Sequence, residues 1–282
     1  MNRLQENILE VYKPVKELCD THGLRYFAIG GTCIGAVRHE GFIPWDDDMD
    51  IAMPREDYNR FLELAKDNLP SHLEVFNGSD KDHSDFTFTK IHNNRTMFTS
   101  TFLENFPDSY TGVFLDVMPI DGLPDNETIR KKYTKKLENI SRNSRRRKLL
   151  DYDAHEGQSG DDILYTLYIL NLKLHPIRYY SNKLLKILPK YSFEQGEGII
   201  FGWTADNSNR IFHKEDFLSW KSVRFEDTEV RIPIGYDRYL RKQIGDYTKL
   251  PDPDKRVTHH DAIIDLDKSY KDYARIKSEG EK

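Results

Sequence analysis

From Leu4 onward the apolar residues Ile8, Val11, Val15, Leu18 and Cys19 recur at the spacing of one helical face. This predicts an amphipathic helix over 3–22 that ends near Gly23. Leu24 to Ile29 predicts a strand stopping at Gly30-Gly31, after which Thr32 is placed to cap a short helix, Cys33 to His39, with Gly41 just past its end. Phe42 to Trp45 predicts a loop. Residues 48–53 alternate polar or small positions with Met49, Ile51 and Met53, the period of a half-buried strand, and Pro54 closes it. Helical spacing resumes over 55–68 through Tyr58, Phe61, Leu62 and Ala65, and Pro70 ends it.

Short strands are expected at 73–77, 86–92 and 96–101, the last two separated by a tight turn at Asn93-Asn94, and a further strand at 112–118. Asp121 is expected to cap a turn before Gly122. Alternating helices and strands up to about residue 124 predict a mixed α/β core. Beyond it lie a basic helix over 127–150, a loop over 151–162 and an apolar, then basic, helical stretch over 163–188. Strands around 199–203 and 223–234 and a helix near 236–244 complete the pattern. Two units are expected: 1–124 as the core, and 125–282 as a helical and C-terminal segment completing its cleft.

Composition narrows the classes. The 282 residues include 15 Phe, 16 Tyr and 3 Trp, enough apolar surface to exclude intrinsic disorder. A net charge of -5 supplies no overall cationic field, so no nucleic-acid partner is expected. Cys19 and Cys33 are too few for a disulfide scaffold and lack the spacing of a structural zinc site. The N-terminal residues lack a signal-peptide pattern, and the apolar stretch Ile163 to Leu174 falls short of the ~20 residues that span a bilayer. A cytoplasmic protein is expected, at most peripheral to the inner face of the cell membrane.

Asp46, Asp47, Asp48 and Asp50 crowd four carboxylates into five positions. Their repulsion requires either water to screen it or a cation to offset it. On a strand, Asp46, Asp48 and Asp50 share one face at about 7 Å intervals, while Asp47 points away. Two such carboxylates suit a hard cation such as Mg²⁺ or Mn²⁺ shared with substrate phosphates. Gly30 and Gly31, without a Cβ, let a phosphate approach the backbone at a helix start. Asp116, among apolar neighbours on a later strand, is the candidate third carboxylate, to finish a metal shell or to take a proton. The alternatives are a solvated acidic turn for the cluster and a strand-end Asp bonded to a nearby turn for Asp116.

Ile29 to Thr32, Val37 to Ile51, Phe114 to Val117, Gly245-Asp246-Tyr247 with Leu250-Pro251, and His259-His260 together resemble the LicD family. The resemblance spans about residues 24–261. It implies a nucleotidyltransferase-type fold and transfer of phosphocholine from CDP-choline, or of a similar group from another CDP-alcohol, to a hydroxyl of a cell-surface glycan such as a lipopolysaccharide or teichoic acid precursor, lipid-linked or not. It also implies metal-binding carboxylates at Asp48 and Asp50, a further acidic position at Asp46, the third-strand carboxylate at Asp116, and a donor-phosphate turn at Gly30, Gly31 and Thr32. It draws Arg38, otherwise a cation at a helix C-terminus, toward the site.

Lys249, Arg256, His259 and His260 are expected to bring cationic donors to the pyrophosphate. Trp203 and Trp220 are expected in core packing, or at a choline subsite, because aromatic faces favour quaternary ammonium groups. Ten basic residues in the nineteen positions from Arg130 to Lys148 predict a solvated helix face, an anionic-polymer site or a membrane-facing surface. A nucleotidyltransferase proper and a non-enzymatic adaptor for acidic polymer are the rival functions.

Overall fold

The computed structural model describes residues 1–77, 86–151, 163–201, 211–258 and 260–280. It is a mixed α/β structure built on one large sheet, with helices α1 (Arg3–Thr21), α2 (Gly30–His39), α3 (Arg55–Asn68), α4 (Glu127–Asp151), α5 (Ile163–Lys173), α6 (Ile177–Ile187), α7 (Tyr236–Ile244) and α8 (Tyr270–Gly280). Helix α1 opens with a reciprocal cap between Asn2 and Gln5, and buries Ile8, Val11, Tyr12, Val15, Leu18 and Cys19. The apolar periodicity therefore identifies the buried face of this helix.

The large sheet contains β1 (Phe27–Ala28), β2 (Asp50–Pro54), β3 (Leu73–Asn77), β4 (Thr89–Asn93), β6 (Phe114–Gly122), β7 (Gly198–Phe201) and β8 (Phe212–His213). Along its main path the order is β1-β2-β6-β4-β3. The long strand β6 organises it: β2 runs parallel on one side, and β4 and then β7 pair antiparallel with successive parts of the other. In this register Asp116 lies between Asp50 of β2 and Lys90 of β4. Residues opposite one another share a face, so the three side chains are brought together by pairing alone.

Several local expectations change. The strand expected over 24–29 reduces to the two residues of β1. Strand β5 (Met97–Ser100) does not form a hairpin with β4. It pairs with β11 (Ala262–Asp265) in a separate two-stranded sheet, because β4 is already paired with β3 and β6. The stretch 163–188 breaks into α5 and α6 around Pro176. The segment 223–234 is a hairpin of β9 (Trp220–Phe225) and β10 (Thr228–Pro233). Trp220 is exposed, with the Arg231 guanidinium over its ring, so it belongs neither to the core nor to the cleft. Trp203, the end of the strand expected at 199–203 and most of the loop 151–162 lie outside the described residues.

Asp121 does not cap a turn. It lies within β6, fully buried, and accepts two hydrogen bonds from the Arg55 guanidinium of α3, one of 2.8 Å. The bidentate geometry satisfies a charge that burial would otherwise make costly.

Candidate active site

Helix α2 begins at Gly30, with Ile29 in the capping position, so Thr32 is not its cap. Instead the Thr32 hydroxyl accepts the backbone N–H of Asp50 at 2.8 Å and ties the first turn of α2 to the start of β2. Gly30 takes a left-handed conformation, and its N–H donates to the Tyr239 hydroxyl of α7 at 2.9 Å. That amide is committed to the protein. The amides of Gly31 and Thr32, in the first helical turn, have no carbonyl four residues back within α2.

Asp46 and Asp48 precede β2, in a segment that brings their side chains to the same cleft as Asp50. The cleft, about 700 Å³ in volume, has these carboxylates and Gly30-Gly31 on one side. A Cβ on Gly31 would come within 2.7 Å of an Asp46 carboxylate oxygen, so only glycine permits this approach. Trp45, Ile34, Ile43, Tyr247 and Leu250 supply apolar wall, and Arg38, Lys249 and Lys255 supply cationic groups.

Burial and mutual repulsion dominate the carboxylates. Burial, with Asp48 and Asp47 nearby, pushes the Asp46 carboxyl up to about 7. Burial, with Asp48 and Asp116, holds Asp50 well above the usual carboxylate range. Burial also raises Asp116, against which the Lys90 ammonium works at 2.6 Å. Lys90 in turn rests over the Phe114 ring, 3.4 Å from its centroid. This all-oxygen donor set suits a hard divalent cation, which would relieve the repulsion that lifts these groups.

Asp47 is not a bystander. Its side chain turns from the cleft and is buried, accepting the His260 N–H at 3.1 Å and contacting His260 Nδ1 at 3.0 Å. This bond raises the His260 pKa and orients the ring so that Nε2 faces Asp48 at 4.0 Å. Ligand-capable atoms of Asp47, Asp48 and His260 lie within 4.8 Å of one another, a second grouping able to hold a metal ion. Asp47→Asn is therefore expected to lower turnover by about tenfold to a hundredfold through His260, as loss of a group orienting a site histidine does. A variant with parental steady-state rates contradicts this role.

The remaining expected residues divide. Arg38 faces the cleft, but its Nη1 donates to the carbonyls of Tyr247 at 2.9 Å and Lys249 at 3.3 Å, binding the C-terminal loop to α2. Lys249 lines the cleft with its ammonium 3.0 Å from Asp246. Arg256 donates to the Pro251 carbonyl and sits over Trp45, buttressing the wall from outside the cleft lining. His259 lies outside the described residues. Sequence patterning does not single out Lys90, Lys255 or Gln243. Only a lysine interrupting the otherwise uncharged strand Thr89–Asn93 hints at the first of them.

Residues 23–157 match the family model described as the LicD/FKTN/FKRP nucleotidyltransferase domain. The cleft carboxylates and α2 lie within that match. Over 259 residues, covering 90% of this chain and 92% of the relative, the sequence is 29% identical to the lipopolysaccharide cholinephosphotransferase LicD of Haemophilus influenzae. A stretch of 58 residues, 21% of the chain, is 38% identical to the uncharacterized protein RT0683 of Rickettsia typhi and covers 19% of it. Both comparisons make the chain similar to the LicD family, the family model over its N-terminal half and the Haemophilus protein over most of its length.

Proposed function

We propose that the protein is a transferase that moves phosphocholine, or a similar phospho-alcohol, from a CDP-activated donor to a hydroxyl of a cell-surface glycan. The observation that carries this reading is the register pairing Asp50 with Asp116 on adjacent parallel strands, beside the Gly30-Gly31 helix start. The cholinephosphotransferase name of the Haemophilus relative supports the choice of phosphocholine as the transferred group.

Asp46, Asp48, Asp50 and Asp116 are the residues that would hold Mg²⁺ or Mn²⁺, which supplies charge neutralisation on the donor phosphates. The amides of Gly31 and Thr32 bind a phosphate oxygen, with Lys249 and Lys255 at the cleft edge. Asp116, made more basic by burial, orients the acceptor hydroxyl and takes its proton. The hydroxyl oxygen forms a bond to the phosphorus bearing choline, the bond from that phosphorus to the bridging oxygen breaks, and CMP leaves with the electron pair. Trp45, within the cleft, offers the aromatic face expected of a choline subsite.

Gln243 lines the cleft, and its Oε1 is buried with no hydrogen-bond partner among the described residues. An unpaired buried acceptor is costly, so an N–H or O–H of the nucleoside completes it. Gln243→Leu is expected to raise the donor KM about tenfold with kcat largely retained. An unchanged donor KM removes Gln243 from the donor site.

The test of the reaction is the fate of label. With CDP-choline labelled separately in cytidine and in choline, purified protein, Mg²⁺ and a glycan acceptor should place choline label on the glycan and cytidine label in CMP. Cytidine label on the acceptor instead identifies a nucleotidyltransferase proper.

A further inference from the structure

Helix α5 has apolar residues on two opposite sides. Tyr168 and Leu172 point inward against Leu150 and Tyr180. Leu167 and Leu170 on its outer side, and Leu174 just past its end, follow one another at helical spacing and are 56%, 54% and 75% exposed. Leu149 near the end of α4 is 42% exposed. A surface helix that needed only to cover its own core would carry polar residues there. Exposed apolar ridges of this kind mark an interaction site.

The charge around the ridge identifies the partner. Residues 139–150 and 163–193 contain ten Lys or Arg and no Asp or Glu, in a chain whose net charge is -5. Arg146 reaches the Tyr168 hydroxyl and Arg147 donates to the His175 carbonyl at 2.9 Å, so the cationic end of α4 lies alongside α5. Leucines projecting beside this cluster of cations match a membrane interface, where the apolar side chains enter the acyl boundary and the cations meet headgroup phosphates. No helix among the described residues is long and apolar enough to cross a membrane.

We propose that α4, α5 and α6 form a docking surface for an anionic phospholipid bilayer, with Leu167, Leu170 and Leu174 as the inserted residues. The surface acts independently of the transfer reaction, so the two readings fail separately.

The test is flotation of the full chain with vesicles of phosphatidylglycerol and phosphatidylcholine in equal parts, beside vesicles of phosphatidylcholine alone. The expected result is recovery with the first and not the second. The combined variant Leu167→Ser, Leu170→Ser, Leu174→Ser should lower the partition coefficient by about a hundredfold or more, since each buried leucine contributes about tenfold. All three positions are exposed, so the fold is retained, as far-UV circular dichroism checks. Lys173→Glu, Lys183→Glu, Lys186→Glu should remove the preference for the anionic vesicles, and salt at about 1 M, where screening acts within about 3 Å, should weaken parental binding. Sedimentation velocity tests the competing occupant, a second copy of this chain. Failure of the parent to float with anionic vesicles, equal flotation of the leucine variant, or a dimer dissolved by that variant without vesicle binding overturns the proposal.

Discussion

Asp50→Asn is expected to lower turnover by at least about a thousandfold while leaving the fold intact, and to raise the melting temperature of the metal-free protein at about pH 8. The loss of turnover reflects removal of a charge that faces the cleft beside Asp48 and Asp116. The gain in stability follows from linkage. A carboxyl whose pKa is raised on folding binds its proton more tightly in the folded than in the unfolded state. The cluster's stability cost is therefore absent below the ordinary carboxylate range, grows as pH rises, and is complete above the folded pKa. For Asp46, raised from 3.8 to about 7, that window runs from about pH 4 to about pH 7, and the shift corresponds to about 4 kcal/mol.

Acidification and Mg²⁺ should each stabilise the parent by several degrees in thermal unfolding, because either relieves the same repulsion. Asp46→Asn and Asp50→Asn should lose much of both responses. A Mg²⁺ response in Asp50→Asn equal to that of the parent places the metal elsewhere, with the Asp47, Asp48 and His260 grouping as the next position to substitute.

The second large effect lies outside the cleft. Arg55→Ala or Asp121→Ala should destabilise the fold by about 3–5 kcal/mol, since each leaves its partner charged and buried. The double variant Arg55→Met, Asp121→Leu should recover part of the loss, because no unpaired charge remains. Chemical denaturation of the three proteins checks this. A single variant within about 1 kcal/mol of the parent shows that the pair is hydrated in solution. The pair anchors α3 to β6, the strand that carries Asp116, so the single variants should also lose activity as they lose stability.

What could be read without the structure was local. The apolar spacing of α1 and α3, the alternation ending in β2 and the basic helix α4 depend on contacts within a few residues, and periodicity records them. The approach of Gly31 to Asp46 depends on a short link between α2 and β2, and the Gly-Gly and Asp-x-Asp pattern marks it. Turn chemistry was less legible: Thr32 satisfies the N–H of Asp50 and not its own helix, a choice made when α2 packs against β2.

The tertiary structure alone decided the groups that surround those carboxylates. Asp47 and His260 are 213 residues apart, and Arg55 and Asp121 are 66 apart, with no intervening period to connect them. Lys90 meets Asp116 because β4 and β6 adopt one register, and a shift by one residue would turn Lys90 to the opposite face. Arg38 carried the same uncertainty: as a cation at a helix end it could have faced a phosphate, yet packing of the C-terminal loop presents two carbonyls to its guanidinium. The chain by itself determined which residues are chemically able to bind phosphate and metal, because that is a property of side chains and their immediate neighbours. Which of them stand together, which are buried, and therefore which hold their protons were decided by strand register and by desolvation, and both exist only once distant segments pack.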